Sequence, residues 1–548
     1  MAVKKILALL VGFSLILGVT ACDFLKKQVP VDLESQTSAE ATDDLLAKVP
    51  SDKEIRIATE QRYNTIFYIV RMSVSTDGNE AEWVLVSRDG TLEVTVTWNT
   101  NDPDELDYSD RGLSDFDVAS GSLDFPDNQY SYGQGSETIR VFSYTSEVPE
   151  MIGVYMDKNP AFGKKYKVEV VIIPADSGTY QTVLSKALLT GENKAPDIYL
   201  VDSPYAAEYT KGDMARCAAS YWDLGIDIDN MIEKADIADY VVNVGTRKTG
   251  EVVALGYQST SGAMIYRASI AREVFGTDDP DEIEKIMGAG TGKWDNFLDA
   301  AKVLKSKGYS IVAGLDDLCE VCNTNTSSPW LDSDSNLVVS PEREEFFDLA
   351  KTLIDEGYTD GAVSWTESWY KDMQNSQVFC YFGSTWLINW VMAGNCGGTR
   401  AGEGTYGDWR VCLPPVGFFW GGSWILANKN TKQKEGVAEL ITWFTLDTSE
   451  NGLQYLLAND KLGYGSCESV VSNTVMAESR YECGFCGGQD IFKKYSDCNR
   501  YTSGNNMYEH DIEIYDFYYE AVKQYANGNI SRDDAIKQFK DNVDSYDF

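Results

Sequence analysis

The sequence predicts an α/β body preceded by a small β-rich module, and three observations carry that prediction. At 548 residues the chain is several times the usual domain length, so it has material for more than one folded unit. Between 138 and 201, short apolar runs alternate with amphipathic segments in the order β-α-β-α-β, which reads as a parallel sheet with crossover helices. Upstream, from 54 to 128, the apolar residues alternate with period two between turn residues, which reads as antiparallel strands. A hydrophobic fraction of 43%, a charged fraction of 24% and an aromatic fraction of 12% exclude global disorder.

The chain opens with Lys4-Lys5, an apolar run from Ile6 to Val19, and then Thr20-Ala21-Cys22. That run has the length of an export-signal core and is too short for a comfortable membrane span. The ending is similar to a bacterial lipobox, so residues 1–22 are expected to be a lipoprotein signal and Cys22 the lipidated mature N-terminus. An ordinary signal peptide or an uncleaved anchor is the alternative. Residues 23–53 have little apolar periodicity and read as a flexible tether. Within the accessory β-rich module, 54–128, four segments read as strands: Ile55-Arg-Ile-Ala, Phe67-Tyr-Ile-Val, Glu82 to Ser87 and Leu92 to Trp98. The last two flank an Asp89-Gly90 hairpin turn. The acidic stretch from Asn101 to Asp117 lacks EF-hand spacing, so a solvated loop is favoured over a calcium site.

After Gln134-Gly135-Ser136 the character changes. Thr138 to Ser143, Lys167 to Ile173 and Asp197 to Val201 read as strands, with helices from Val148 to Lys158 and from Tyr180 to Leu189. Ligands of open parallel sheets lie beyond the carboxyl ends of the strands, which puts Tyr144, Glu147, Asp176 and Asp202 at the mouth. Glu147 is also placed to cap or polarise the helix it begins.

Charge and histidine content exclude several functions. Lys and Arg number 47 against 85 Asp and Glu, a formal net charge of −38 that repels phosphate backbones, so no nucleic-acid partner is expected. A single histidine, His510, leaves almost no material for a Ser-His-Asp hydrolase or a histidine-rich metal site. Without Cys22 the cysteines number an even ten, among them the pairs Cys319/Cys322 and Cys483/Cys486. These pairs lie too far apart in sequence for a zinc ribbon, whose knuckles are about 15–20 residues apart. Structural disulfides are therefore expected, with no metal, no redox function and no cofactor.

In order along the chain stand Thr138-Ile-Arg-Val-Phe-Ser-Tyr-Thr-Ser-Glu147, Tyr180 to Gly191, Ala195-Pro-Asp-Ile-Tyr-Leu-Val-Asp202 and Gly256-Tyr-Gln-Ser-Thr-Ser-Gly. They are followed by Trp294-Asp-Asn-Phe297, Gly383-Ser-Thr-Trp386, Gly417-Phe-Phe-Trp-Gly-Gly-Ser-Trp424 and Tyr525 to Phe539. Over roughly 137–545 this series resembles the extracellular carbohydrate-binding proteins of ABC importers, the group that includes maltose-binding protein. The resemblance implies a two-lobed periplasmic-binding-protein type fold with hinge crossings, lobe one at 137–253 and 414–450, lobe two at 254–413 and 451–548. It also implies a non-enzymatic monomer that encloses a sugar and presents it to a membrane permease and its ATPase, held at the outer face of the cell membrane by a lipid anchor. The N-terminal β module departs from that family.

The residue chemistry points to sugar independently. A pyranose has an apolar C–H face and a hydroxyl rim, so it needs flat aromatic platforms with a few polar groups. Seven of the 13 tryptophans lie between 365 and 424: Trp365, Trp369, Trp386, Trp390, Trp409, Trp420 and Trp424. Trp365, Trp369, Trp386, Trp420 and Trp424 are the candidate platforms, with core packing the alternative for each. Trp386 and Trp420 lead because neighbouring glycines suit loops that approach a ligand. Glu147 and Asp202 are candidate acceptors of sugar hydroxyls, and Tyr257 and Gln258 are candidate hinge or ligand contacts. Gly288 to Lys293 fails as a P-loop and reads as a turn before a helix. Two rival functions remain: a surface glycoside hydrolase using two of the many carboxylates, and an adhesion protein working through the β module.

Overall fold

The computed structural model describes residues 50, 52–63, 67–74, 80–87, 92–101, 105–112, 129–175, 179–190, 195–332, 336–375 and 377–545. Cys22, the export segment, most of the tether, the Asp89-Gly90 turn and Asp176 lie outside them. The chain divides into two compact units, one of residues 1–200, 430–433 and 544–548, the other of 201–429 and 434–543.

The first unit begins with helix α1 (Asp52–Tyr63) and four strands, β1 (Phe67–Val74), β2 (Glu80–Ser87), β3 (Leu92–Asn99) and β4 (Asp107–Gly112). These strands form an antiparallel meander in sequence order. Trp83 pairs with Val96, Leu85 with Val94 and Ala81 with Trp98 across β2 and β3. The same residues form the buried core together with Ile55 of α1. Alternation along β2 and β3 thus sends one face of the sheet onto one helix. Ile55 to Ala58, expected as a strand, lies within α1. Ile55 and Thr59 are both buried one turn apart, and the Thr59 hydroxyl donates to the Ile55 carbonyl at 2.7 Å. Four alternating residues fit either period, and the helical one holds here.

The α/β part of this unit follows the expected order: β5 (Gln129–Tyr132), β6 (Glu137–Ser143), α2 (Val148–Lys158), β7 (Tyr166–Ile172), α3 (Thr179–Thr190) and β8 (Ile198–Asp202). β6 pairs in parallel with both β7 and β8, and β5 adds an antiparallel edge to β7 that the sequence reading lacked. The buried Tyr180 of α3 donates its hydroxyl to the Leu200 carbonyl at 2.6 Å, which ties the crossover helix to the sheet.

In the second unit α4 (Ser203–Thr210) is followed by β9 (Ala254–Gly256) and β10 (Ala263–Arg267), then β11 (Ser310–Val312) and α5 (Asp316–Asn323). Further on come α6 (Glu367–Gln374), β12 (Val378–Gly383), a π-helix (Leu387–Met392), β13 (Trp409–Cys412), β14 (Ser423–Ala427) and α7 (Asp511–Ala526). One sheet runs β11-β12-β10-β13, and β9 pairs antiparallel with β14. β10 and β12 are buried along their whole length, so they read as continuous apolar runs rather than alternating ones. Gly288, Gly290 and Gly292 form the expected turn ahead of the helix Asp295–Ser306.

The expected disulfides are not formed: each of the ten described cysteines is a free, buried thiol. Most pack as small hydrophobes, while Cys483 and Cys486 hydrogen-bond to each other. Cys380 of β12 donates to the Ile311 carbonyl at 3.2 Å, and Cys396 to the Gly398 carbonyl at 3.2 Å. Burial pushes the Cys319, Cys322, Cys380 and Cys412 thiols well above their usual range, which keeps them protonated. Among the described residues no helix is long and apolar enough to cross a membrane.

Candidate functional site

β12 ends at Gly383, where an added Cβ would lie 2.5 Å from the Leu387 side chain, so the chain turns tightly into the π-helix that follows Trp386. π-helical turns are rare and frequent at functional sites. Trp420 sits in the loop before β14, followed by Gly421 and Gly422 at φ +75° and +108°, a backbone region that favours glycine. Thr260 pins this loop. Its carbonyl accepts from the Trp420 amide at 3.0 Å, and its hydroxyl donates to the Gly421 carbonyl at 2.7 Å. The Trp386 indole N–H donates to the Trp420 carbonyl at 3.0 Å, and the two rings meet edge to face with centroids 4.9 Å apart.

Trp365 completes the group from a turn ahead of α6. Its ring lies nearly parallel to that of Trp386, at 6.2 Å and 14°, and edge-on to Trp420 at 5.9 Å. Its φ is +69°, a strained value for a bulky side chain and one that structures hold mostly where function requires it. Behind it the fully buried Trp369 packs at 5.2 Å and donates its indole N–H to Asp317 Oδ1 at 2.9 Å. Burial pushes the Asp317 carboxyl up to about 7, against the pull of the hydrogen bonds from Trp369 and the Gly314 amide.

A buried polar group flanks the tryptophans. Glu468 accepts from the Thr385 hydroxyl at 2.8 Å and from the Asn389 amide at 2.9 Å, and Thr385 and Asn389 bracket Trp386 on the chain. The Ser469 amide donates to the Thr385 hydroxyl at 2.9 Å. Sequence reasoning missed Glu468, Thr385 and Asn389. The one available signal was their closeness to Trp386, which Glu468, 82 residues further on, does not share.

Of the residues singled out in the sequence, the structure brings together Trp365, Trp369, Trp386 and Trp420. Trp424 is a core residue of β14, buried and donating to the Val241 carbonyl at 3.2 Å. Tyr257 is fully buried with its ring 5.9 Å from Phe444, and Gln258 forms an isolated bridge with Val470. Asp202 caps α4, its carboxylate accepting from the Ser203 amide at 2.8 Å. In the first unit, Tyr144 is buried with its ring edge-on to Tyr180 at 5.5 Å. Glu147 stands at the start of α2 without a side-chain capping bond. Among the described residues no group of three or more His, Cys, Asp or Glu side chains could hold a metal.

Indole faces set in two orientations beside a hydrogen-bonded carboxylate and amide can stack on apolar C–H faces while binding hydroxyls. Residues 160–477 match the family of bacterial extracellular solute-binding proteins. Among solved structures, an extracellular solute-binding protein of family 1 superposes with a TM-score of 0.61 at 17% identity, covering 75% of this chain and all of that one. The galacto-N-biose/lacto-N-biose I-binding protein of an ABC transporter from Bifidobacterium longum gives 0.56 at 15% identity, covering 75% of this chain and 97% of its own. An ABC substrate-binding protein from Listeria monocytogenes, solved with cycloalternan, gives 0.51 at 15% identity, covering 75% and 98%. No curated protein matches the chain. With more than half of its length matched, and with the expected solute-binding-protein fold, the chain belongs to the bacterial extracellular solute-binding protein family.

Proposed function

We propose that this solute-binding protein is a receptor for a carbohydrate, an oligosaccharide, which it binds at the Trp365, Trp386 and Trp420 cluster and delivers to the permease of an ABC importer. The observation that carries the reading is the cluster itself: three indole rings within 6.2 Å of one another, with Glu468 hydrogen-bonded to Thr385 and Asn389 on either side of Trp386 in the chain. The proteins from Bifidobacterium longum and Listeria monocytogenes, which share the fold, were solved with saccharides, and this supports the choice of ligand. The family is extracellular and binds rather than turns over its solute. Lipidation at Cys22 would hold the receptor at the outer face of the membrane beside its permease and ATPase.

The test is a titration of the chain from Asp23 onward with mono- and oligosaccharides, followed by tryptophan fluorescence and calorimetry. A saturable micromolar response, about −8 kcal/mol, is expected. Trp386→Ala and Trp420→Ala should each weaken it at least about tenfold, about 1.4 kcal/mol. Binding of other solutes but of no saccharide would overturn the carbohydrate assignment. Release of shorter products would favour a hydrolase instead.

A further inference from the structure

A tryptophan held at φ +69° sits in a backbone region that strains a bulky side chain, so the surroundings must over-determine it. Two successive carboxylates in the first turn of α5 do this. The Ser364 amide, one residue before Trp365, donates to Asp316 Oδ2 at 2.8 Å. The Trp369 indole N–H, four residues after it, donates to Asp317 Oδ1 at 2.9 Å. Each carboxylate is itself anchored. Asp316 Oδ1 accepts from the Tyr519 hydroxyl of α7, and Asp317 Oδ2 accepts from the Gly314 amide at 3.0 Å.

The backbone beneath this turn is equally constrained. The Ala362 amide donates to the Ala313 carbonyl at 3.0 Å, and the Thr359 hydroxyl donates to the same carbonyl at 2.8 Å. A Cβ at Gly314 would lie 1.8 Å from the Ala362 carbonyl oxygen, so the turn after β11 and the turn before α6 are in backbone contact.

We infer that Asp316 and Asp317 are positioning residues for ligand binding: they clamp the chain on both sides of Trp365, holding its left-handed backbone and keeping its ring against Trp386 and Trp420. The inference rests on the reading of the tryptophan cluster as the solute site. The two carboxylates act through the turn and through Trp369. Removing either carboxylate leaves a buried N–H donor without its acceptor.

The test uses circular dichroism in the near ultraviolet, where indoles as close as Trp365 and Trp386 couple. The coupled signal is defined as the difference between the unaltered full-length chain and Trp365→Ala. Asp316→Ala and Asp317→Ala should each lose most of that signal while the far-ultraviolet spectrum stays unchanged. Affinity for the bound saccharide should fall about tenfold in each. In a Trp365→Ala background the same changes should shift affinity by less than about twofold. A retained signal in folded variants, or an equal loss of affinity in both backgrounds, would overturn the inference. Should Asp317→Ala fail to fold, Asp316→Ala decides the matter. If Trp365→Ala leaves saccharide binding untouched, the solute-site reading fails, and the spectroscopic comparison, which needs no ligand, still decides whether the carboxylates position the ring.

Discussion

Trp365 occupies a backbone region that glycine enters without penalty, so stability and binding should respond to it with opposite preferences. Trp365→Gly is expected to be more stable than Trp365→Ala by about 1 kcal/mol in denaturant unfolding, because only the alanine meets the left-handed penalty. Neither should bind the solute tightly. Buried carboxyls give a second prediction at this scale. Burial raises Asp317 to about 7 and Asp372 to about 6, whereas the same groups in the unfolded chain titrate near 4. Over that interval the folded chain holds protons that the unfolded chain has released. These two groups therefore contribute stability that is complete below about pH 4 and is lost as pH rises through 6 and 7. Urea midpoints measured from pH 5 to pH 8 should fall across this window, and Asp317→Asn should flatten part of the slope.

Elements differ in how far local pattern specified them. The parallel strands β6, β7 and β8 and their crossover helices were legible, because their short, β-branched apolar runs alternate with longer amphipathic segments. The antiparallel pairing of β2 with β3 was legible from alternation on both sides of an Asp-Gly pair. Helix α1 was not, since Ile55 to Ala58 is too short to separate a period of two from one of 3.6. Among the tryptophans, glycines marked Trp386 and Trp420, whose rings the structure brings together, while the clustering of tryptophans between 365 and 424 also drew in Trp424, whose strand turns it into the core. Glu468 was hidden because a buried acceptor is defined by partners distant in sequence, here Thr385 and Asn389. For the β module the packing predicts a large single-residue effect. Trp83→Ala should destabilise the sheet by about 3–5 kcal/mol, read by hydrogen exchange confined to 52–112. Solute affinity should be unchanged.

On the scale of the whole molecule, a net charge of −38 gives the chain a strongly negative field. A neutral sugar should be indifferent to that field, so affinity measured by calorimetry should change by less than about twofold between low and high salt. A marked loss of affinity with added salt would point instead to a cationic solute. Added salt should nevertheless raise the thermal midpoint, because screening relieves self-repulsion in the compact state. The ten free, buried thiols have a consequence of another kind. With no covalent cross-link among them, the fold needs no oxidant and no disulfide exchange to reach its final form. A receptor of this design can mature in an oxygen-free habitat as readily as in air, and dithiothreitol should leave its melting curve where it was.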